Sequence, residues 1–189
     1  MKQQLLTHQS GFTLVETLVA ILILSMTIGA VLALAAGGYF GVRYARNDIV
    51  ATNLLQESLE YVRNTRDTAQ QQQSVTTFDE WLSTFDFCRT DTGCMINPYH
   101  QDGELAVIPC ATTCDNISYY SDTGFYGYTD SISKFARGTP LQTTFVRTVT
   151  MQRIGTTNQI IVTARMKWLN GTSSKSTQQS IILSPWSTQ

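Results

Sequence analysis

The chain has 189 residues, a formal net charge of −1 and only 14% charged residues. Such near-neutrality offers no clustered basic excess for nucleic acid or an anionic lipid surface, and the length suits one modest domain plus an appendage. The apolar residues bunch towards the N-terminus, whereas the remainder is rich in Thr, Ser, Gln and Tyr.

The first eleven residues, MKQQLLTHQSG, form a short polar leader containing Lys2 and His8. From Phe12 to Val42 the chain is then predominantly Leu, Ile, Val and Ala, with Glu16 as its only charge. As one helix this segment spans roughly 46 Å, more than the ~30 Å apolar thickness of a bilayer. A secretory signal has an apolar run of only about 7–15 residues before its cleavage site. Cleavage near Ala35-Ala36-Gly37, as in ordinary secretion, is the rival reading of this segment. Glu16 is the anomaly. A carboxylate in such surroundings costs a few kcal/mol unless something pairs with it.

Gly11-Phe12-Thr13-Leu14-Val15-Glu16, with the leader before it and the apolar helix after it, resembles the prepilin cleavage and methylation motif. That motif marks type IV pilins and the pseudopilins of type II secretion. The resemblance implies cleavage between Gly11 and Phe12 by a prepilin peptidase on the cytoplasmic side, then N-methylation of Phe12. It also gives Glu16 a partner: the ammonium freed on Phe12, in the same chain or in the next subunit. A desolvated pair costs far less than either charge alone, so pairing selects one register between neighbouring helices. The implied partners are other pilin subunits, the peptidase, a filament assembly platform and, before assembly, inner-membrane lipid. The implied localisation is a single pass of the cytoplasmic membrane with the N-terminus inside, then a cell-surface filament. Many pilins carry a proline in the apolar half; this chain has Gly29, Gly37, Gly38 and Gly41 instead.

Arg43 and Arg46 close the apolar span. Val50, Leu54, Leu55, Leu59 and Val62 then recur at helical spacing as one apolar stripe. Glu57, Glu60, Arg63 and Arg66 are expected on the other side, with Glu60 and Arg63 placed to pair. The pattern predicts one helix from Phe12 to Asp67, apolar all round at first and amphipathic afterwards.

TAQQQQSV (68–75) reads as a polar connector. Thr76 or Thr77 can cap a short helix, with Asp79 or Glu80 completing a capping box and Trp81, Leu82 and Phe85 on one face. Residues 88–138 read as long surface loops with a short strand at Leu105–Ile108. In the C-terminal third, Ile160, Val162, Ala164, Met166 and Trp168 alternate with Thr163, Arg165 and Lys167, which predicts a strand with one buried face. Phe145, Val149 and Met151 give the preceding strand a similar face, Ser180–Leu183 supplies a third strand, and Asn170-Gly171 starts a turn between the last two. This order of strands also resembles the sheet of minor pilins and smaller pseudopilins.

The expected fold is therefore α+β and type IV pilin-like, with one long helix on a small antiparallel sheet and a disulfide-bearing loop region. Its segments are a leader (1–11), an apolar helix half (12–42), an amphipathic half (43–67), the connector, short helix and loops (68–138) and the sheet (139–189). The last of these packs with 43–67.

Past the membrane the chain faces an oxidising space, so Cys88, Cys94, Cys110 and Cys114 are expected to form disulfides. Local pairing is preferred among the three connectivities. A four-thiolate zinc site is the rival, with unorthodox spacing. Catalytic signatures are missing from the sequence: there is no GxSxG, HExxH or phosphate-cradling glycine motif, and no cofactor is implied. His100 reads as a surface residue. Asp115, Asp122 and Asp130 match no EF-hand spacing. Tyr119, Tyr120, Tyr126 and Tyr128 either pack their loop onto the sheet or form an adhesive surface. Asn116 and Asn170 begin glycosylation-type triplets to which no weight attaches.

Three functions compete: a structural filament subunit (a minor pilin or pseudopilin, or alternatively a major pilin), a tip ligand-binding or DNA-uptake pilin, and a membrane-anchored enzyme. DNA uptake needs a basic groove, and the sequence offers only scattered Arg137, Arg147, Arg153, Arg165 and Lys167.

Overall fold

The computed structural model describes residues 11–72, 75, 77–100, 105–128, 138–155 and 158–186. The leader residues Lys2 and His8, Thr76, Asp130 and Arg137 lie outside the described residues. The chain divides into two units, Met1–Arg46 and Asn47–Gln189. The first helix, α1 (Leu14–Gln72), contributes to both. It ends five residues beyond Asp67, taking in much of the expected connector. Ala and Gln are good helix formers, and no Gly or Pro intervenes to stop the helix there.

Within the second unit the apolar stripe of α1 is buried at Ala51, Leu54, Leu55, Leu59 and Val62, with Val50 partly buried beside them. Helix α2 (Phe78–Ser83) follows, and Thr77 is its N-cap, the side chain accepting from the Glu80 backbone N–H at 3.2 Å as in the first half of the expected capping box. Trp81, Leu82 and Phe85 are buried, with Trp81 packed at tilted ring angles against Phe78 and Phe85, at ring-centre distances of 5.3 Å each. A 3₁₀ turn at Asp86–Arg89 then leads into the sheet.

The sheet has seven strands rather than the three expected. They are β1 (Cys94–Ile96), β2 (Val107–Pro109), β3 (Asn116–Tyr120), β4 (Phe125–Gly127), β5 (Pro140–Arg153), β6 (Ile160–Asn170) and β7 (Ser173–Leu183). Every pairing is antiparallel. β6 pairs with one edge of β5 and β7 extends β6, while β3 and β1 pair along the other edge of β5, β4 extending β3 and β2 extending β1. Residues 88–138 are thus not simply loops. Their strands are three to five residues long and contain Cys, Pro, Gly and Asn, so no alternation long enough to register announces them. The short strand begins at Val107, not Leu105. β7 is likewise longer than Ser180–Leu183, because Ser173–Gln179 is polar throughout yet pairs residue for residue with β6. Gly171, at φ 63°, supplies the left-handed residue that the tight β6–β7 turn requires.

The inner face carries Phe145, Val149 and Met151 from β5 and Ile160, Val162, Ala164, Met166 and Trp168 from β6. These join the α1 stripe, α2 and both disulfides in one core. Each fully buried Leu, Ile or Val there contributes about 1.5–3 kcal/mol. Tyr120 and Tyr128 are buried, Tyr126 packs against the core, and Tyr119 lies 5.0 Å from Tyr126 across the β3–β4 pair. The tyrosines therefore fasten the β3–β4 hairpin to the sheet.

Candidate functional site

In the first unit Gly11, Phe12 and Thr13 precede the helix and are exposed, so the Gly11–Phe12 peptide bond lies in open, non-helical chain. Thr13 caps α1: its Oγ1 accepts from the Glu16 backbone N–H at 3.3 Å, and its carbonyl accepts from Thr17 N–H at 3.2 Å. Glu16 thus occupies the third helical position, the place an acid takes in a capping box. A negative charge in a first turn is favoured by about 0.3–1 kcal/mol through the helix dipole. This local benefit is smaller than the few kcal/mol that an unpaired carboxylate costs in an apolar medium. The cap accounts for where the acid sits, but it would not offset transfer of the acid into an apolar medium.

From Phe12 to Val42 every residue is exposed in the isolated chain, including the large apolar side chains at Leu14, Leu18, Ile21, Ile28, Leu34 and Phe40. Soluble monomers rarely leave more than a few hundred Å² of contiguous apolar surface uncovered. This helix is long and apolar enough to cross a membrane. Three of its hydroxyls are satisfied within the helix: Thr17, Ser25 and Thr27 donate to the carbonyls of Leu14, Leu22 and Leu24 at 2.8–2.9 Å. Polar atoms paired within the helix remove most of the cost of taking it out of water. The helix continues through Gly29, Gly37, Gly38 and Gly41. Arg43 lies 5.8 Å from the Tyr39 ring centre where the apolar surface ends.

The second unit contains a buried cation that the sequence reading placed among scattered charges. Arg147 sits on β5 in register with Phe145, Val149 and Met151 and is only 2% exposed. Its Nη1 donates to the Leu54 carbonyl at 2.7 Å and to Glu57 Oε2 at 2.8 Å, and its Nη2 donates to the Ile96 carbonyl at 2.5 Å. The Tyr128 ring lies 5.9 Å from the guanidinium. Glu57 therefore turns towards the sheet and not, as expected, to the opposite side of α1. The available signal was the alternation itself, which assigns position 147 to the apolar face. Burial alone would lower the Arg147 pKa, but Tyr128 and Glu57 hold it above its ordinary value.

Tyr99 adjoins this pair. Burial, followed by its hydrogen bond to Glu57 and the charge of Glu57, raises its pKa from 10.0 to about 12. Burial likewise raises Tyr61. A folded-state value above the unfolded one gives stability that is complete below the unfolded pKa and lost as pH rises through the folded value. Thermal melts are thus expected to fall in Tm between pH 10 and about 12, and to fall less in Tyr99→Phe. An identical fall in that variant would contradict the assignment.

Cys88 is bonded to Cys94 and Cys110 to Cys114, each with Cα atoms 4.6 Å apart. All four sulfurs are thereby committed, which removes the thiolates a zinc site would need. Closing such short loops removes roughly 2 kcal/mol of chain entropy each, under half the value for a hundred-residue loop. Their consequence is mainly local. Glu60 and Arg63 pair at 3.0 Å on the exposed side of α1, and Arg153 bonds Asp79. His100 is exposed, with its ring edge-on to Tyr61. Asp115 and Asp122 belong to no group of three or more metal-type ligands among the described residues.

Compared with protein families, residues 6–37 match the prokaryotic N-terminal methylation motif. No curated protein and no solved structure matches the chain. The matched span contains the exposed Gly11–Phe12 bond, the Thr13 cap, Glu16 and most of the apolar half of α1. The chain thus carries the prepilin motif of type IV pilins and pseudopilins, joined to a helix-and-sheet unit with two disulfides. That motif implies processing by a prepilin peptidase and assembly with other pilin-type subunits, and it suggests membrane anchoring.

Proposed function

We propose that this chain is a structural subunit of a type IV pilus or a related secretion pseudopilus, and specifically a minor pilin or pseudopilin. The precursor lies across the cytoplasmic membrane with its leader inside. A prepilin peptidase cuts between Gly11 and Phe12, Phe12 is N-methylated, and the mature chain moves from lipid into a bundle of N-terminal helices. The carrying observation is the joining of the methylation motif to an all-round exposed apolar helix whose first turn holds one carboxylate. In this reading the chain performs no catalysis. The peptidase and methyltransferase act on it, and a separate assembly platform extracts it from the membrane.

Gly11, lacking a Cβ, permits a close approach to the backbone beside the bond proposed to be cut. Gly11→Val is expected to leave the precursor uncut, with the full-length mass in the membrane fraction and none in sheared filaments. Processing of Gly11→Val at the wild-type rate would contradict this assignment of the scissile bond.

A further inference from the structure

The outward face of the sheet carries a groove of about 490 Å³ that the filament role does not use. Its floor follows from the β5–β6 register, in which Thr148 lies opposite Arg165 and Thr150 opposite Thr163. These four residues occupy the alternate positions that point away from the core. Lys167, two residues from Arg165 on the same face, completes a cationic side. Cross-strand hydrogen bonds order this surface: Gln178 Oε1 accepts from Arg165 Nε at 3.3 Å and Nη2 at 3.1 Å, and Thr163 and Ser180 share a hydroxyl hydrogen bond of 2.9 Å.

The facing wall is built by the two disulfide loops. Asp91 and Thr92 come from the loop closed by Cys88–Cys94, and Thr112 and Thr113 from the loop closed by Cys110–Cys114. A backbone hydrogen bond from Cys110 N–H to the Gly93 carbonyl, 3.3 Å, ties the loops together. Gly93 presses directly on the floor: at φ 72°, a Cβ there would meet the Val149 carbonyl oxygen at 2.7 Å and Thr148 Cγ2 at 2.8 Å. Cys114 Sγ lies 3.2 Å from Thr148 Oγ1. Crosslinks over four and six residues constrain little of the unfolded chain, so what they fix is this wall.

The lining chemistry selects a class of ligand. Hydroxyls dominate, two cations lie two residues apart on one strand face, and one carboxylate, Asp91, also lines the groove. Among the described residues no aromatic side chain lines the groove, so these offer nucleobases no stacking platform. Two cations are few for a phosphate backbone, whose protein partners neutralise several charges at once. A chain of hydroxyl-bearing rings with carboxylates satisfies both features.

We propose that this groove binds an acidic, uronate-bearing polysaccharide, with a sugar carboxylate held by Arg165 and Lys167 and ring hydroxyls hydrogen-bonded to Thr148, Thr150 and Asp91. The inference rests on the filament reading only for where the groove is displayed; binding itself can be measured on the isolated chain. The test uses the full chain in non-ionic detergent and three labelled probes of similar length: an oligogalacturonate, a neutral dextran and a single-stranded oligodeoxynucleotide. Fluorescence polarisation is expected to show saturable binding of the oligogalacturonate that weakens with added salt. The R165Q/K167Q double variant is expected to lose about tenfold or more in affinity at unchanged Tm. Lys167→Gln alone leaves the Arg165–Gln178 contact in place and is expected to weaken binding by a smaller factor. Absence of oligogalacturonate binding, equal binding of dextran, tighter binding of the oligonucleotide, or unchanged affinity in both variants would overturn the proposal. None of these outcomes bears on leader cleavage or filament assembly.

Discussion

Glu16→Gln is expected to reduce incorporation into filaments on the order of a hundredfold or more, while membrane insertion and leader cleavage persist. The size follows from stranding a buried ammonium: removing one partner of a desolvated pair costs about 3–5 kcal/mol, and each ~1.4 kcal/mol is tenfold in an equilibrium. Gln is the informative replacement because it also serves at the third position of a capping box. The Thr13 cap seen at this turn is therefore kept, and only the charge is lost. If Glu16 served merely to cap the helix or favour its dipole, the change would be worth under about 1 kcal/mol and filaments would contain the variant at near wild-type levels. Quantitative blotting of sheared filaments against the membrane fraction separates the two outcomes.

Arg147→Met is expected to destabilise the second unit by about 3–5 kcal/mol, because it leaves a half-buried carboxylate and two carbonyls without their donor. For a unit of this size that corresponds to a fall in Tm on the order of 10 °C. The guanidinium joins three elements at once, through Leu54 and Glu57 on α1, Ile96 on β1 and its own strand β5. It fixes how the helix lies against the sheet in a way that apolar contact, being non-directional, does not. Glu57→Gln in the Arg147→Met background is expected to cost less than in wild type, giving a coupling above about 1 kcal/mol in a double-mutant cycle. A Tm for Arg147→Met within about 2 °C of wild type would show that the pair carries no such weight.

What the sequence discloses here tracks the length of its patterns. The apolar half of α1, its amphipathic continuation and the alternation of β6 each run long enough for their periods to register, and the structure places them accordingly. β1 to β4 do not, since three to five residues carry too few alternations to stand out from loop composition. The polar stretch of β7 was hidden for another reason: its pairing is specified by the neighbouring β6 backbone, not by a buried face of its own. Position 147 is legible from the strand alternation, which places it on the inward face. A cation at an inward-facing position of a strand announces a buried partner, and Glu57, on a helix that must cover that strand, was available to provide one. At the N-terminus the reverse holds. The methylation motif, and with it the proposed cleavage and assembly signals, lies in contiguous residues and is readable without any fold, whereas the outward groove exists only once β5, β6 and two disulfide loops converge.

The most direct test is the intact mass and N-terminal sequence of this chain recovered from sheared surface filaments. The account predicts a polypeptide that begins at Phe12, carries one methyl group on its amine and lacks the eleven leader residues. A chain still bearing the leader, or one beginning beyond Ala35-Ala36-Gly37, would contradict it, because no ammonium would then stand beside Glu16.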